Sequence, residues 1–590
     1  NAQVGSDLIS PSNNHDLYSI EDLAQLIDEL KTANPQCKVA VKVPVVPGIG
    51  TIAIGIAKAG ADIITMSGFD GGTGAARQHA LRRTGLPCEI GTVLSHHALV
   101  EAGIRDRVEI WADGGLRSAA DAIKLICLGA NRLGYGTAAM VAIGCTICRD
   151  CQKDTCHVGI ATQITSTEEA AHRGLKRFVP REFDASVAAL VRYFTEMGDA
   201  MRQLAGDMGV ERVQDLVGQA DRLVQVSHHD RLDLSGLLTP TRDRIIHTPS
   251  GRPRFFRPFN PPPPHRAPEV AAERLAAGAV LAVDEEVASA ADRNLGTDLA
   301  GLIARGVTGI SANGGNGHAR PNGASRANGD GGYSGDEGNG SGNGGGHLPD
   351  ATVVDLAFTK GAAAGSGLAA FTLYGVRVRV FGGAQDGVGK CALGGEVEVL
   401  KARNTAGGWV GGHVGKSFAY GAQRGRFLIQ GNADARAGIR LSGADMVLGG
   451  EPTEPINDRL GSIASRANCK GFAFEYMTGG RAVVLGDPGP WLCSGMTGGR
   501  VYVRQNPEWN LDEAAVRRRL SKAAKVSLAP LVESDEASVV ELLTAYRDAL
   551  AASGQEEAAE RLGPLIDEPS EHFVAIVPVT QQADPNISTE

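Results

Sequence analysis

The sequence predicts a mixed fold, an α/β region followed by an all-β region, from two repeating patterns. Between residues 38 and 136, short apolar runs alternate with helical runs, which is typical of parallel βα units. After Thr352, short β runs are separated by recurring Gly-Gly pairs, which is typical of a β-solenoid. A third observation concerns function: four of the ten cysteines lie within the twelve residues from Cys145 to Cys156.

Charge and hydropathy exclude several classes of protein. The 590-residue chain carries a net charge of -9 and shows no basic stripe, so we expect neither nucleic acid nor a membrane surface as a partner. It contains no apolar run of about eighteen residues, and no signal peptide opens it. We therefore expect a soluble, cytoplasmic protein of three or four domains.

The elements of the first region follow from periodicity. Leu23, Ile27 and Leu30 recur at helical spacing within residues 16–32. Beyond them the pattern predicts strands at residues 38–46, 62–67, 108–112 and 132–136, and helices at residues 51–60, 95–103 and 119–128. About four βα units are visible, whereas a closed (β/α)8 barrel needs eight.

Three glycine-rich loops follow the predicted strands, at residues 68–74, 113–115 and 134–137. Loops at the carboxyl ends of parallel strands build the site in such folds, and glycine lets backbone N–H groups close on a phosphate. One such loop is more often a simple turn, but three in succession favour a phosphate site. None has the Gly-x-Gly-x-x-Gly spacing of a dinucleotide site, so FMN fits better than NAD.

Lys42 lies within a predicted strand, where alternation places core or barrel-mouth side chains. A lysine there can simply extend to solvent or form an ion pair at the strand end. It can also stabilise the reduced, anionic flavin or hold a carboxylate substrate. The neighbouring glycine loops favour the second interpretation.

The cysteines read Cys-x2-Cys-x2-Cys-x4-Cys, with Cys148 second in the run. Clustered thiols in a chain without a secretory signal favour a metal or iron–sulfur site over disulfides. Structural zinc is the alternative, but zinc thiolates usually come as two separated Cys-x2-Cys pairs. The compact spacing is close to a bacterial ferredoxin run, and on spacing alone Cys148 would be a fourth ligand of a [4Fe–4S] cluster.

The rest of the chain divides by composition. Residues 166–226 are predicted to be helical, with one apolar face formed by Val187, Leu190, Val191, Phe194 and Met197. Residues 251–268 form a proline-rich spacer, residues 268–305 a helix-prone acidic segment, and residues 311–349 a disordered Gly/Asn-rich linker. Residues 510–563 are predicted as a helical tail, followed by a strand at residues 573–578.

Several long motifs carry a resemblance to a known family. Residues 42–51, 67–75, 85–91, 113–117 and 144–163 resemble the flavin domain of the glutamate synthase large subunit. Glu-Tyr-Met-Thr-Gly-Gly at residues 475–480 and Ser-Gly-Met-Thr-Gly-Gly at residues 494–499 resemble the C-terminal β-helix of the same family. His413 and Cys493 are interpreted there as ordinary core or surface residues.

The resemblance implies the second half of an FMN-binding (β/α)8 barrel with a [3Fe–4S] cluster, then a helical segment and a right-handed parallel β-helix, whereas the long linker between them is specific to this chain. It divides the chain at residues 1–163, 164–250, 251–349, 350–506 and 507–590. It implies that ammonia condenses with 2-oxoglutarate and that reduced flavin delivers hydride to the imine carbon, giving L-glutamate. Lys42 matches the lysine at the flavin and is the candidate catalytic residue.

The resemblance also assigns residues to cofactors. Cys145, Cys151 and Cys156, spaced x5 and x4, match the ligands of the three-iron cluster, which leaves Cys148 out. The positions that match the FMN site are Ser67, Gly71, Gly72, Asp113, Gly114, Gly115, Gly134, Gly136 and Thr137.

The sequence departs from the family at Val46 and Leu94, where the family has acidic residues, and at Cys88, where it has Trp. Glu89 and His96 are retained. The fold should tolerate these changes, but they affect substrate contacts, so a related amino acid synthase such as an N-methylglutamate synthase stays open.

Partners follow from what the family requires. The family's glutaminase uses an N-terminal cysteine as nucleophile and this chain starts at Asn1, so we expect that it does not hydrolyse glutamine itself. We expect the missing glutaminase and half-barrel region either to precede it in a longer polypeptide or to belong to another subunit. Electrons would come from an NAD(P)H-oxidising small subunit or a ferredoxin. One alternative is a non-catalytic electron-transfer and scaffold subunit. A second is a relative of inosinate dehydrogenase, but the cysteine run and the predicted β-helix argue against it.

Overall fold

A computed structural model of the chain describes residues 17–71, 85–148, 151, 155–164, 166–240, 281–285, 288–305, 354–460, 463–522 and 524–579. The proline-rich spacer, the Gly/Asn-rich linker and Gly72 lie outside these residues. The chain forms two compact units. The first, here the N-terminal unit, comprises Leu17–Lys31 and Gln36–Arg257, and the second, the C-terminal unit, comprises Asn1–Asp16, Thr32–Pro35 and Pro258–Glu590.

Helices and strands alternate in the first part of the N-terminal unit, as periodicity predicts. Its strands are β1 (Ala40–Pro44), β2 (Ile63–Ser67), β3 (Glu109–Asp113) and β4 (Arg132–Gly134). Its helices are α1 (Ile20–Ala33), α2 (Ile49–Lys58), α3 (Cys88–Glu101), α4 (Ala119–Cys127), α5 (Thr137–Ala142), α6 (Thr167–His172) and α7 (Phe183–Asp207). Short 3-10 helices lie at Arg105–Arg107, Val213–Leu216 and Ala220–Arg222.

The four strands form one parallel sheet in the order β1-β2-β3-β4, which confirms the predicted parallel βα units. Side chains alternate between its faces. Ile64, Met66, Ile110 and Ala112 are fully buried on the face that α2 and α3 cover. The opposite face carries partly exposed polar and aromatic side chains, including Trp111.

Helix α3 begins at Cys88, seven residues before its predicted start. Pro87 precedes it, and Gly91 lies in its second turn. A Cβ atom at Gly91 would lie 2.3 Å from a Val45 methyl carbon, so glycine here permits close helix-to-sheet packing. The sequence-based prediction placed the start of α3 too late because Pro and Gly usually end a helical pattern.

The segment predicted to be continuously helical is interrupted between α6 and α7. The predicted apolar face of α7 is also wrong in part: Val187, Val191 and Phe194 are exposed, whereas Met197 is buried. The packed face lies toward the C-terminal half of α7, where Ala205 joins a core cluster with Ile126 of α4. Periodicity alone could not show which end of the helix is covered.

The C-terminal unit consists mainly of strands. They are β5 (Leu281–Glu285), β6 (Val354–Ala364), β7 (Val376–Ala384), β8 (Leu393–Arg403), β9 (Trp409–Gly411), β10 (His413–Val414), β11 (Arg424–Ile429), β12 (Ser442–Leu448), β13 (Thr478–Val484), β14 (Gly498–Arg504), β15 (Val526–Ala529) and β16 (Phe573–Pro578). The helices are α8 (Thr297–Ala304), α9 (Ile463–Arg466), α10 (Glu513–Arg519), α11 (Glu533–Ala552), α12 (Glu556–Glu560), α13 (Gly563–Asp567) and α14 (Pro569–His572), and 3-10 helices lie at Asp458–Leu460 and Pro507–Trp509. No helix in the described part of the chain is long and apolar enough to cross a bilayer.

These strands form one large sheet, most of it parallel. Strands β5, β6, β7, β8, β11, β12, β13 and β14 pair in parallel in that order. At one end β16 pairs antiparallel with β14, and β15 with β16. Alternate residues such as Val378, Val397 and Phe427 are fully buried in one core, so the alternation of the sequence sets the buried face.

The turns that precede the strands also stack. The backbone N–H of Gly438 donates to the carbonyl of Phe418, and that of Phe474 donates to Ala437. The next contact continues the ladder, since Cys493 N donates to Ala473 O. Each turn therefore receives backbone hydrogen bonds from its neighbour, as in a stacked repeat.

The two sequence motifs at residues 475–480 and 494–499 take part in the hydrogen bonds between these stacked turns. Tyr476 N donates to Ser494 O at 2.8 Å, and Thr478 pairs with Gly498. Cys493 is fully buried in the core, and His413 accepts a hydrogen bond from Asn432 N at its Nδ1 atom. The interpretation of both as ordinary core or surface residues agrees with these contacts.

Two predicted segments differ from the structure. Strand β5 lies within the acidic segment at residues 268–305, which was expected to be helical, and α8 is the helix among the residues of this segment that the structure describes. Strand β15 interrupts the predicted helical tail. Both join the large sheet, so long-range pairing decides conformations that local propensity does not.

Arg519 provides a test of packing in the C-terminal unit. Its side chain is 0% exposed and donates to Asp458 and Asp487 at 2.8 to 2.9 Å. Arg519→Met should lower the free energy of unfolding by about 3–5 kcal/mol, because it leaves the buried carboxylate of Asp487 without its guanidinium partner. Urea unfolding measures this loss.

Arg518 is the matched control, since it pairs with the same Asp458 but is 55% exposed. Arg518→Met should cost about 1 kcal/mol or less. Equal decreases in the free energy of unfolding of the two variants would contradict the importance of burial for this ion pair.

Candidate functional site

The carboxyl ends of the four parallel strands meet at one edge of the N-terminal sheet. The register pairs Pro44 with Ser67, Ser67 with Asp113, and Asp113 with Gly134. Three of the predicted site residues therefore lie side by side in one row, although they are far apart in sequence. We call this row and its loops the glycine edge.

Lys42 reaches this edge from β1. Its Nζ atom lies 2.6 Å from Oδ2 of Asp113, and its side chain is 53% exposed. The other carboxylate oxygen of Asp113, Oδ1, is buried and has no hydrogen-bond partner among the described residues. The glycine edge therefore has an accessible ammonium group, that of Lys42, and a hydrogen-bond acceptor, Asp113 Oδ1, without a partner among the described residues.

Glycines let two loops approach each other closely behind this ion pair. A Cβ atom at Gly71 would lie 2.9 Å from Asp113 Oδ1 and 3.1 Å from the Cα atom of Gly114. Gly114 and Gly115 both have positive φ angles, of 111° and 75°. Side chains at these positions would strain the backbone or fill the space between the loops, so the sequence pattern has a steric cause here.

The third loop ends the edge. Gly134 lies against Asp113, since a Cβ atom there would be 3.0 Å from the Asp113 Cβ. Gly136 has no atom within 4 Å of its Cβ position and directly precedes α5, which starts at Thr137. Among the described residues, Gly136 therefore borders open space, whereas Gly134 is packed against Asp113.

Three further residues beside the edge were not in the predicted site. The Cys88 thiol lies 3.4 Å from the carbonyl oxygen of Gly114 and 3.6 Å from Glu89, which pairs with Lys124 at 2.9 Å. Burial, followed by the charge of Glu89, raises the pKa of Cys88 to about 12. Cys88 is therefore a neutral thiol at neutral pH, and only its departure from the family pattern distinguished it in the sequence.

His96 is a buried neutral residue. Its Nδ1 atom lies 3.0 Å from Nε of Arg105, which also donates to the carbonyls of Val108 and Gly129. Burial, followed by the charge of Arg105, lowers the pKa of His96 to about 3. These contacts give His96 a role in holding α3 in place.

Residues 179–181 connect the two parts of the cysteine run that lie before and after Cys151. Val179 N donates to His157 O at 2.8 Å, and Arg181 N donates to Val158 O at 3.1 Å. The side chain of Arg181 donates to Gly144 O at 2.9 Å. Residues 144–148 and 155–160 are therefore neighbours, and α5 alone separates the first of them from the glycine edge.

The thiols themselves differ in environment. Burial alone would raise the pKa of Cys156, but N–H groups between Val158 and Ala161 lower it overall. Partial burial, followed by the neighbouring thiols Cys145, Cys148 and Cys156, raises the pKa of Cys151. The four thiols are free of disulfide bonds.

Within the described ranges, no three or more His, Cys, Asp and Glu side chains are gathered closely enough to hold a metal ion. Residues 149–150 and 152–154 of the cysteine run lie outside those ranges. A cluster would therefore require Cys145, Cys151 and Cys156 to turn toward one another.

Comparison with known proteins gives two family matches. Residues 1–211 match the conserved region in glutamate synthase, and residues 344–457 and 459–579 match the GXGXG motif. The chain is 31% identical over 546 residues to the ferredoxin-dependent glutamate synthase of Pyropia yezoensis, covering 90% of this chain and 31% of that protein. It is 32% identical over 510 residues to the glutamate synthase [NADPH] large chain of Bacillus subtilis (strain 168), covering 85% of this chain and 28% of that protein.

A third relative, the glutamate synthase [NADPH] large chain of Azospirillum brasilense, is 33% identical over 506 residues, with 82% of this chain and 28% of that protein covered. The chain thus spans about three tenths of the length of the curated relatives it matches.

The buried state of His96 predicts a pH dependence of stability. The pKa of His96 falls from 6.5 in the unfolded chain to about 3 in the folded protein. Its contribution to the free energy of unfolding is therefore complete above pH 6.5 and decreases as the pH falls below that value. The loss should reach roughly 2 kcal/mol near pH 5. Urea unfolding at several pH values between about 5 and about 7.5 measures it.

His96→Gln should flatten this dependence, whereas His172→Gln should leave it unchanged, since His172 is exposed. An identical slope in all three proteins would contradict the assignment to His96.

Proposed function

Because the chain is related in sequence to the C-terminal portion of glutamate synthase large subunits, we propose that it is the synthase part of such an enzyme. It would convert 2-oxoglutarate and ammonia reductively to L-glutamate. The observation that carries the proposal is the ion pair between Lys42 and Asp113, placed at a glycine-lined sheet edge one short helix away from a run of four thiols.

The residues of the glycine edge fit FMN. Gly71, Gly114 and Gly115 let the loops of the edge approach one another closely, and Gly136 borders space that is open among the described residues. Asp113 Oδ1 is an unused acceptor that suits a hydroxyl or ring N–H donor. We propose that these residues, with Ser67, Gly72, Gly134 and Thr137, hold the flavin.

The cysteine run fits an iron–sulfur cluster in its donor chemistry. The N–H groups beyond Cys156 stabilise a thiolate, which is the form that binds metal. We propose Cys145, Cys151 and Cys156 as ligands of a [3Fe–4S] cluster, with Cys148 outside the ligand set. Bound FMN would supply hydride to the substrate, and the cluster would supply electrons one at a time.

The chain's own residues would position the substrate and balance charge. The accessible Nζ atom of Lys42 suits a carboxylate of 2-oxoglutarate or the negative charge of a reduced flavin. Asp113 orients this ammonium group through a 2.6 Å contact. Cys88 and Glu89, beside Gly114, stand where a substrate would meet the edge, so the thiol affects the substrate contacts there.

The fold proposal follows from the two sheets. A parallel sheet is usually covered on both faces, and in the described residues the face that carries Lys42 and Trp111 is less buried than the face under α2 and α3. This supports four strands of a (β/α)8 barrel. The parallel strands and stacked turns of the C-terminal unit support a right-handed β-helix, and the five-part division of the chain stays a prediction.

Partners are proposed from the relatives. Those relatives are named ferredoxin-dependent or NADPH-dependent, so we propose a ferredoxin or an NAD(P)H-oxidising small subunit as electron source. Ammonia would come from a glutaminase region of the kind that we expect to precede the barrel strands.

Lys42→Ala tests the substrate role. The full-length protein, reduced with dithionite, should be reoxidised by 2-oxoglutarate with ammonium, seen as the return of flavin absorbance. The variant should keep its flavin and iron but lose this rate by about 100-fold or more, the size of losing one preorganised electrostatic contact.

Lys38→Ala is the matched control, since Lys38 precedes the same strand and is 68% exposed. It should keep the full rate. Full activity of Lys42→Ala would refute the role, and a colourless wild-type protein that still holds iron would favour the electron-transfer scaffold.

Single Cys→Ser variants test the ligand set. Cys145→Ser should lose iron, whereas Cys148→Ser should keep the three-iron EPR signal of the oxidised protein, because it lies outside the proposed set. Loss of iron from Cys148→Ser, or a wild-type protein silent in EPR when oxidised, would identify a four-iron cluster instead. Zinc in place of iron would remove the electron path altogether.

A further inference from the structure

The segment Val179, Pro180 and Arg181 makes contacts with both halves of the cysteine run. Its backbone N–H groups donate to His157 and Val158, the two residues after Cys156. The guanidinium donates to the carbonyl of Gly144, the residue before Cys145. One stretch of chain, just before α7, therefore connects the first and last proposed cluster ligands.

Glycine permits both contacts. Gly144 has a φ angle of 93°, and a Cβ atom there would lie 2.6 Å from Arg181 Nε and 3.0 Å from its Cζ. Gly159 has a φ angle of 72°, and its Cβ position is 2.9 Å from the Pro180 Cβ. The guanidinium thus lies flat against the backbone next to Cys145, and the proline ring lies against the turn after Cys156.

The charge of Arg181 has a consequence beyond packing. Three thiolates and a cluster carry net negative charge, and each electron added increases it. A fixed guanidinium beside the ligand backbone favours the more negative, reduced state and so raises the reduction potential. No ion pair or hydrogen bond of Arg181 with a carboxylate occurs among the described residues, and Arg181 has the Gly144 carbonyl as its side-chain acceptor.

We propose that Arg181 is a positioning residue for the iron–sulfur site: it fixes the spacing of the two cysteine segments and raises the reduction potential of the bound cluster. This role rests on the proposed function, because it presupposes that the thiols hold iron. The proposed role of Arg181 can be tested by iron retention and by the reduction potential, without measuring glutamate formation.

Arg181→Gln removes the charge and the forked donor, and Arg181→Lys restores the charge alone. In Arg181→Gln, iron loss to a chelator should accelerate by about tenfold or more, the usual effect of losing a contact that supports a metal ligand. The potential of the remaining cluster, from an EPR-monitored redox titration, should shift to a lower value. Arg181→Lys should recover the potential but keep the faster iron loss.

Arg177→Gln is the matched control, since Arg177 is exposed in the same stretch and has no hydrogen bond or ion pair with the described cysteine segments. It should match the wild type in both measurements. Thermal unfolding of the three variants checks that the fold is retained. If Arg181→Gln fails to fold, Arg181→Lys carries the test through its faster iron loss alone.

Each of three results would overturn one of these claims. Wild-type iron retention and an unchanged potential in Arg181→Gln would refute the positioning role while leaving the proposed function intact. A wild-type protein without iron would refute the proposed function itself. An equal shift of potential in Arg177→Gln would also refute the role, because it would reflect general surface charge.

Discussion

Parallel pairing in register is the constraint on which both units depend. In the N-terminal unit it fixes which residues share the carboxyl edge, so Ser67, Asp113 and Gly134 become neighbours without any contact between their loops being required. In the C-terminal unit the same pairing aligns successive strands, so their turns stack as well. A shift of one residue would turn every inward side chain outward, which is why each core specifies its register strongly.

Charge at the glycine edge and at the cysteine run is arranged by contacts between residues that are distant in sequence. Lys42 and Asp113 meet across two strand pairings, and Arg181 reaches back to Gly144. In both places a cation from one element meets a glycine-rich or carboxylate-bearing turn of another. The proposed chemistry depends on this arrangement, because anionic substrates and electron-rich clusters both need a fixed positive charge nearby.

The sequence predicted the types of the elements and the row of residues at the glycine edge better than it predicted boundaries and packing. The strands of the N-terminal unit and the glycine edge follow from alternation and loop composition, both local properties. The start of α3 was missed because Pro87 and Gly91 locally resemble a helix end. The buried face of α7, strand β5 and the contacts of Arg181 could not be predicted, since each depends on a partner far along the chain.

The thiols of the hydrophobic interiors differ chemically from Cys156. Burial raises the pKa of Cys127 to about 11 and of Cys469 to about 12, and it raises that of Cys493 as well. With Cys88 these thiols resist alkylation and oxidation at neutral pH, since only a thiolate reacts readily. Cys156, whose pKa is lowered, lies at the other extreme. Oxidation at neutral pH would therefore spare the thiols of the hydrophobic interiors, whereas the Cys156 thiol would react more readily.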